Sequence, residues 1–117
     1  MAKVTHFEIL GRDGEKTRTF YSELFGWEYQ VIPEMDYGMV APQEGAIGGG
    51  IGSAQGGAPP HATFYVEVDD VQASLDKAVT LGGKVIVPCT EIPDMVTFAI
   101  FQDIDGNQIG LAKSAQR

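Results

Sequence analysis

The feature that most constrains this 117-residue chain is that it repeats itself. Asp13 and Asp70 each stand 13 residues before a glycine, Gly26 and Gly83, and Leu24 and Leu81 each sit two residues ahead of that glycine. Placing Asp13 on Asp70 puts His6 on Thr63, Glu8 on Tyr65 and Leu10 on Glu67. The stretch between the copies, Gly-Ser-Ala-Gln-Gly-Gly-Ala-Pro-Pro-His at 52–61, has the composition of a linker. The expected organisation is a first module over 1–51, a linker over 52–61 and a second module over 62–117.

Each copy spells the same order of elements. Residues 4–10 alternate, with Thr5, Phe7 and Ile9 on one face and His6, Glu8 and Leu10 on the other, which predicts a strand. Thr17, Phe20, Tyr21 and Leu24 then fall at helical spacing, with Asp13 to cap the start and Gly26 to end the helix in a left-handed turn. Three short strands follow at 27–32, 37–41 and 46–51, separated by turn-forming residues. In the second copy, 62–68 alternates with Phe64, Val66 and Val68 opposite Thr63, Tyr65 and Glu67. A helix follows with an apolar stripe of Val71, Leu75, Ala78 and Val79, and Asp69 with Gln72 offers a capping box. Strands at 84–92, 95–102 and 108–113 complete the module, the last two joined by Asp105-Gly106-Asn107.

Composition excludes several function classes. Sixteen acids against eight bases leave a net charge of −8, the wrong sign for nucleic acid or an anionic membrane surface. No apolar run approaches the roughly 20 residues needed to cross a bilayer, and the N-terminus does not read as a secretory signal. The single Cys89 has no partner for an internal disulfide, which points to a reducing, cytoplasmic location.

The run Thr-His-Phe-Glu-Ile-Leu from Thr5, with Asp13, Phe20-Tyr21 and Phe25-Gly26, resembles the opening of vicinal oxygen chelate proteins, the glyoxalase, bleomycin-resistance and dioxygenase group. Residues 64–85 resemble the start of that family's second module, and Asp103-Ile104-Asp105-Gly106-Asn107 its closing hairpin. The resemblance covers nearly the whole chain. It implies an α+β fold of two tandem βαβββ modules, forming a curled mixed sheet around a cup with helices outside. The family includes metal-dependent isomerases, lyases and dioxygenases as well as metal-free sequestering proteins, so fold alone does not assign function.

The resemblance also implies where a metal would sit, with one ligand on the first and last strand of each module. The matching positions here are His6, Gly50, Thr63 and Gly110. Glycine offers no donor and a neutral hydroxyl is a poor one. His61 is the sole other histidine, so the two histidines and one carboxylate of an iron dioxygenase would use the whole supply. The expected reading is no metal ligand set and no cofactor.

The predicted cup face carries His6, Glu8, Thr63, Tyr65 and Glu67, able to bind a polar ligand or move a proton. The alternative is that the acids are solvated or simply hydrogen-bond their neighbours. Trp27, Tyr29, Phe98 and Phe101 are candidates to line the cup or to pack ordinarily. Gly48-Gly49-Gly50 lacks the Lys-Ser/Thr of a phosphate loop and suits a close approach or a bulge. Phe64 is expected on the helix side, where truncation to Ala would cost about 3–5 kcal/mol.

These readings favour a homodimeric small-molecule binder of the sequestering type, with an enzymatic role left open. One alternative is a metal-dependent glyoxalase-like lyase or isomerase using Glu8 or Glu67 as general base. Another is a dimeric interaction module without chemistry of its own.

Overall fold

The computed structural model describes residues 2–115, and among them the chain forms eight strands, two helices and one short 3-10 turn. They divide into two compact units, residues 5–63 and residues 64–115 together with residues 2–4.

In the first unit, β1 (Lys3–Gly11) leads into α1 (Gly14–Phe25). Asp13 caps α1 by accepting from the Lys16 N–H at 3.3 Å, and Gly26 closes it at φ 74°, a conformation glycine adopts without a Cβ penalty. β2 (Tyr29–Ile32), the 3-10 turn Pro33–Met35, β3 (Tyr37–Val40) and β4 (Gly48–Ser53) follow. The order within this unit is β2-β3-β4-β1, with β1 parallel to β4 and the other pairs antiparallel. The β1–β4 register sets Phe7 beside Gly49 and Glu8 beside Gly50.

The second unit repeats this plan with β5 (His61–Glu67), α2 (Val71–Thr80), β6 (Lys84–Ile92), β7 (Val96–Gln102) and β8 (Gln108–Ser114). Its order is β5-β8-β7-β6, with β5 parallel to β8 and Tyr65 beside Gly110. Glu8 and Tyr65 thus occupy equivalent places, in agreement with the spacing of the sequence repeat, and strand register makes Gly50 and Gly110 equivalent as well. β6 ends that order, and its register shifts around Val87 and Thr90 flank Pro88. A proline lacks an N–H to donate and is tolerated at such an edge.

Three local expectations are corrected. The cap of α2 is Asp70, which accepts from Ala73 N–H at 2.9 Å; Gln72 bonds Asp76 instead of closing a capping box on Asp69. Val79 is exposed, so the α2 stripe narrows to Val71 and Leu75, packed with Ala99 and Leu111 and flanked by Val68, Cys89 and Phe101. On α1, Phe20 (60% exposed) and Leu24 point outward, and the buried face runs through Gly14 and Arg18. Periodicity had located that helix but assigned its inward face by hydrophobicity, whereas an arginine holds it.

Arg18, 4% exposed, reaches across to the turn before β3. Its guanidinium donates to Asp36 Oδ1 at 3.0 Å, Asp36 O at 3.2 Å and Ile51 O at 3.1 Å, and it lies 5.9 Å from the centre of the Tyr29 ring. Ser53 Oγ donates to Asp36 Oδ2 at 2.6 Å and accepts from Gly14 N–H at 2.8 Å. These bonds tie the start of α1, the end of β4 and Asp36 together. Asp36 sits at φ 48°, a left-handed conformation uncommon for a side-chain-bearing residue. Its carboxyl is held below the usual range, first by the Ser53 hydroxyl and then by Arg18. The residue so fixed immediately precedes Tyr37.

Candidate functional site

A second polar cluster of the first unit forms around a residue that sequence reasoning did not single out. Tyr37, at the start of β3, extends over β4 toward β1. Its hydroxyl donates to Glu8 Oε2 at 2.8 Å and lies 2.9 Å from His6 Nε2. The His6 and Tyr37 rings are nearly parallel, at 17°. Glu8 is 8% exposed. A phenol has a single O–H to give, so with that hydrogen directed to Glu8 the contact with His6 is a hydrogen bond when His6 carries its proton on Nε2. The cluster is therefore a directed chain from imidazole through phenol to carboxylate. Burial pushes the His6 pKa below its ordinary 6.5, favouring the neutral ring.

Glycines make this arrangement possible. A Cβ built on Gly50 would overlap the Tyr37 ring, and one on Gly52 would come within 2.9 Å of Tyr37 Cδ1. On the other face of β4, a Cβ on Gly49 would overlap the Phe7 ring. The run Gly48-Gly49-Gly50 is thus a place of close ring approach on both faces, one of the two readings open from sequence. The signal for Tyr37 was the pair Gly50 and Gly52, whose missing side chains leave room on the face that Glu8 occupies.

Of the five cup-face candidates, His6 and Glu8 are brought together through Tyr37. Tyr65 is buried, and a Cβ on Gly110 would overlap its ring. Thr63 and Glu67 are half-buried on the same strand. The reading of Glu8 as a solvated acid is corrected by its burial. His61 opens β5, and its Nδ1 lies 2.8 Å from Pro59 O.

Trp27 and Tyr29 do not line the face of His6 and Glu8. Trp27 packs with Phe7, Tyr21 and Phe25, with ring centres 5.2, 6.1 and 4.9 Å away, and Tyr29 lies beside Arg18. Phe101 packs against the α2 core. Phe64 is 40% exposed, which lowers the cost expected of its truncation below about 3–5 kcal/mol.

The residues present do not fit a metal. Two of the four positions at which the family resemblance implies ligands are Gly50 and Gly110, and tyrosine rings take the space beside each. Among the described residues, no three His, Cys, Asp or Glu side chains group closely enough to hold an ion. What the cluster can do is grip a polar group by hydrogen bonds or pass a proton along His6, Tyr37 and Glu8.

Paired βαβββ units whose helices pack on a mixed sheet define an α+β architecture. The chain belongs to the Glyoxalase/Bleomycin resistance protein/Dioxygenase superfamily, whose family model matches residues 3–111. It is 33% identical over 106 residues to a Mycobacterium tuberculosis protein named "Putative glyoxylase CFP32", matching 85% of this chain and 41% of that protein. The chain thus spans about two-fifths of the length of that relative. It is 29% identical to a glyoxylase-like domain-containing protein of Didymella fabae, covering 90% of this chain and 88% of the other. Among solved structures it is similar to a Streptomyces coelicolor methylmalonyl-CoA epimerase in complex with 2-nitronate-propionyl-CoA, with TM-score 0.66, 16% identity, and coverage of 97% and 94%. It is also similar to the Mycobacterium tuberculosis methylmalonyl-CoA epimerase, with TM-score 0.69, 13% identity, and coverage of 97% and 88%. At those identities the likeness shows the fold. No helix is long and apolar enough to cross a membrane among the described residues.

Proposed function

We propose that this chain is a small-molecule-binding protein that works without a metal, of the sequestering kind, with His6, Tyr37 and Glu8 as its polar anchor. The observation that carries this reading is the Tyr37 hydroxyl between His6 and Glu8, placed where Gly50 contributes no side chain. A buried, directed hydrogen-bond chain is preorganised to receive a polar group. Thr63, Tyr65 and Glu67 are the further candidates for ligand contact in this reading. A methylmalonyl-CoA epimerase of similar fold is in complex with 2-nitronate-propionyl-CoA. Acyl-CoA thioesters therefore belong in the first panel of compounds, with thiol conjugates and bleomycin-type antibiotics.

The test is a thermal-shift screen of that panel. A ligand at about 100 times its Kd stabilises by about 2.7 kcal/mol, and Tyr37→Phe should remove most of the shift. A shift of equal size in Tyr37→Phe would reject the anchor.

A second reading, a lyase or isomerase with Glu8 as general base, draws on the burial of Glu8 and its phenol partner. It requires solvent deuterium to enter a bound substrate with the native protein and not with Glu8→Gln. Either reading takes the chain as a cytoplasmic homodimer. The exposed Phe20, Leu24 and Phe25 support association, which light scattering would test.

A further inference from the structure

We infer that Tyr37 and Tyr65 are what make this chain metal-independent: each ring occupies the volume that a ligating side chain at Gly50 or Gly110 would need, and the Tyr37 hydroxyl joins His6 to Glu8 where an ion would otherwise bridge such donors. The inference deepens the metal-independent reading above and rests on it.

The two halves reach this outcome by different routes. In the second unit the ring comes from the first strand, since Tyr65 pairs directly with Gly110 across β5 and β8. In the first unit the equivalent residue is Glu8, paired with Gly50, and the ring comes from β3. Met39 is the β3 residue beside Gly50 and Tyr37 is beside Gly52, so the Tyr37 ring reaches Gly50 diagonally. Two different strands therefore deliver an aromatic ring to the same structural position. In both halves the residue beneath the ring has no side chain.

The chemistry follows from what each group offers. A metal joins donors by accepting their lone pairs, and it needs each donor deprotonated. The phenol joins the same two donors by giving one proton to Glu8 and accepting one from His6. It fixes His6 as the Nε2–H tautomer, and that nitrogen then has no lone pair to offer a cation. Metal exclusion is thus both steric, at Gly50 and Gly110, and protonic, at the Nε2 of His6. Tyr37 is a positioning residue: it acts by setting the state of His6 and Glu8.

A double-mutant cycle tests the steric part. Gly50→Ala should lower Tm by about 5–10 °C, because overpacking a filled site forces a ring to move. The same change made in Tyr37→Ala should shift Tm by less than about 2 °C. Equal losses in both backgrounds would overturn the inference. If Gly50→Ala does not accumulate, recovery of folded protein on adding Tyr37→Ala supports it and failure to recover counts against it. Long-range nitrogen–proton NMR tests the protonic part. His6 should show the Nε2–H form in the native protein and lose it in Tyr37→Phe, whereas an Nδ1–H form in the native protein would overturn it. Cobalt(II) titration of the native chain separates the two failures. Stoichiometric binding with Tyr37 in place would overturn the metal-independent reading itself, and an additive cycle without cobalt binding would overturn only the role given to the tyrosines.

Discussion

The two halves share one topology but bury opposite kinds of chemistry beneath their helices. α2 covers Val71, Leu75, Ala99 and Leu111, an apolar cluster held by dispersion and water exclusion. α1 turns Arg18 inward, and the guanidinium satisfies Asp36 and the Ile51 carbonyl while its stem packs near Gly38. Above the same glycine of the last strand, one half sets a tyrosine within a hydrogen-bonded chain and the other a buried Tyr65. A repeat conserves backbone order and strand register. It leaves the chemistry at equivalent positions free to diverge, and here the half with the ionic support also carries the His6–Tyr37–Glu8 cluster.

The largest expected effect breaks the apolar half. Leu75 is almost fully buried in its cluster, so Leu75→Ala should cost about 2–5 kcal/mol in denaturant unfolding. Phe64→Ala on the neighbouring strand should cost less, because Phe64 keeps 40% of its surface exposed. A larger loss at Phe64 than at Leu75 would mean that the core of this half has been misplaced.

The next effect sharpens the equivalence of the two glycines. Gly110→Ala must displace the buried Tyr65 ring and should cost about 1–3 kcal/mol. An effect within about 0.5 kcal/mol, the range of ordinary surface substitutions, would show that the ring moves aside freely.

Arg18→Met then separates stability from function in the first half. Its ionic partner Asp36 is half exposed and can rehydrate, so stability should fall less than with Leu75→Ala. The turn that fixes Tyr37 loses its anchor, however. The Tyr37-dependent ligand shift should shrink more than the change in stability would suggest. An unchanged shift would detach the ion pair from the site.

How much of this was legible in the chain follows from which signals are local. The cap at Asp13, the left-handed Gly26 and the alternation of His6 and Glu8 against Phe7 depend on neighbours a few residues away, and each reads correctly. Arg18 was missed because hydrophobicity cannot identify a buried cation whose partners lie 18 and 33 residues further on. Tyr37 was missed for the same reason, since its partners lie 29 and 31 residues away on another strand. Phe20 and Leu24 match helical spacing, yet the residues that actually turn inward are Gly14 and Arg18. Spacing finds a helix more surely than it finds which side of the helix is inside.

The smallest effect concerns pH, and it returns the comparison to the polar half. Burial lowers the His6 pKa in the folded protein, so between that value and 6.5 the unfolded chain binds more protons than the folded one. Stability should therefore be complete above pH 6.5 and decline as pH falls to the folded value. Below it both states are protonated and His6 contributes no further loss. Asp36 acts in a lower window. Its carboxyl is depressed from 3.8 by Ser53 and Arg18, so its contribution is present above that value and is lost as pH falls through the folded one. Unfolding midpoints between pH 7.5 and 5 should show the His6 decline in the native protein and a flatter profile in His6→Gln. Asp36→Asn should leave that upper window unchanged and alter only the acid limb. If His6→Gln keeps the full decline, the proton responsible lies elsewhere, and the imidazole is not the buried neutral donor that its bond to Tyr37 requires.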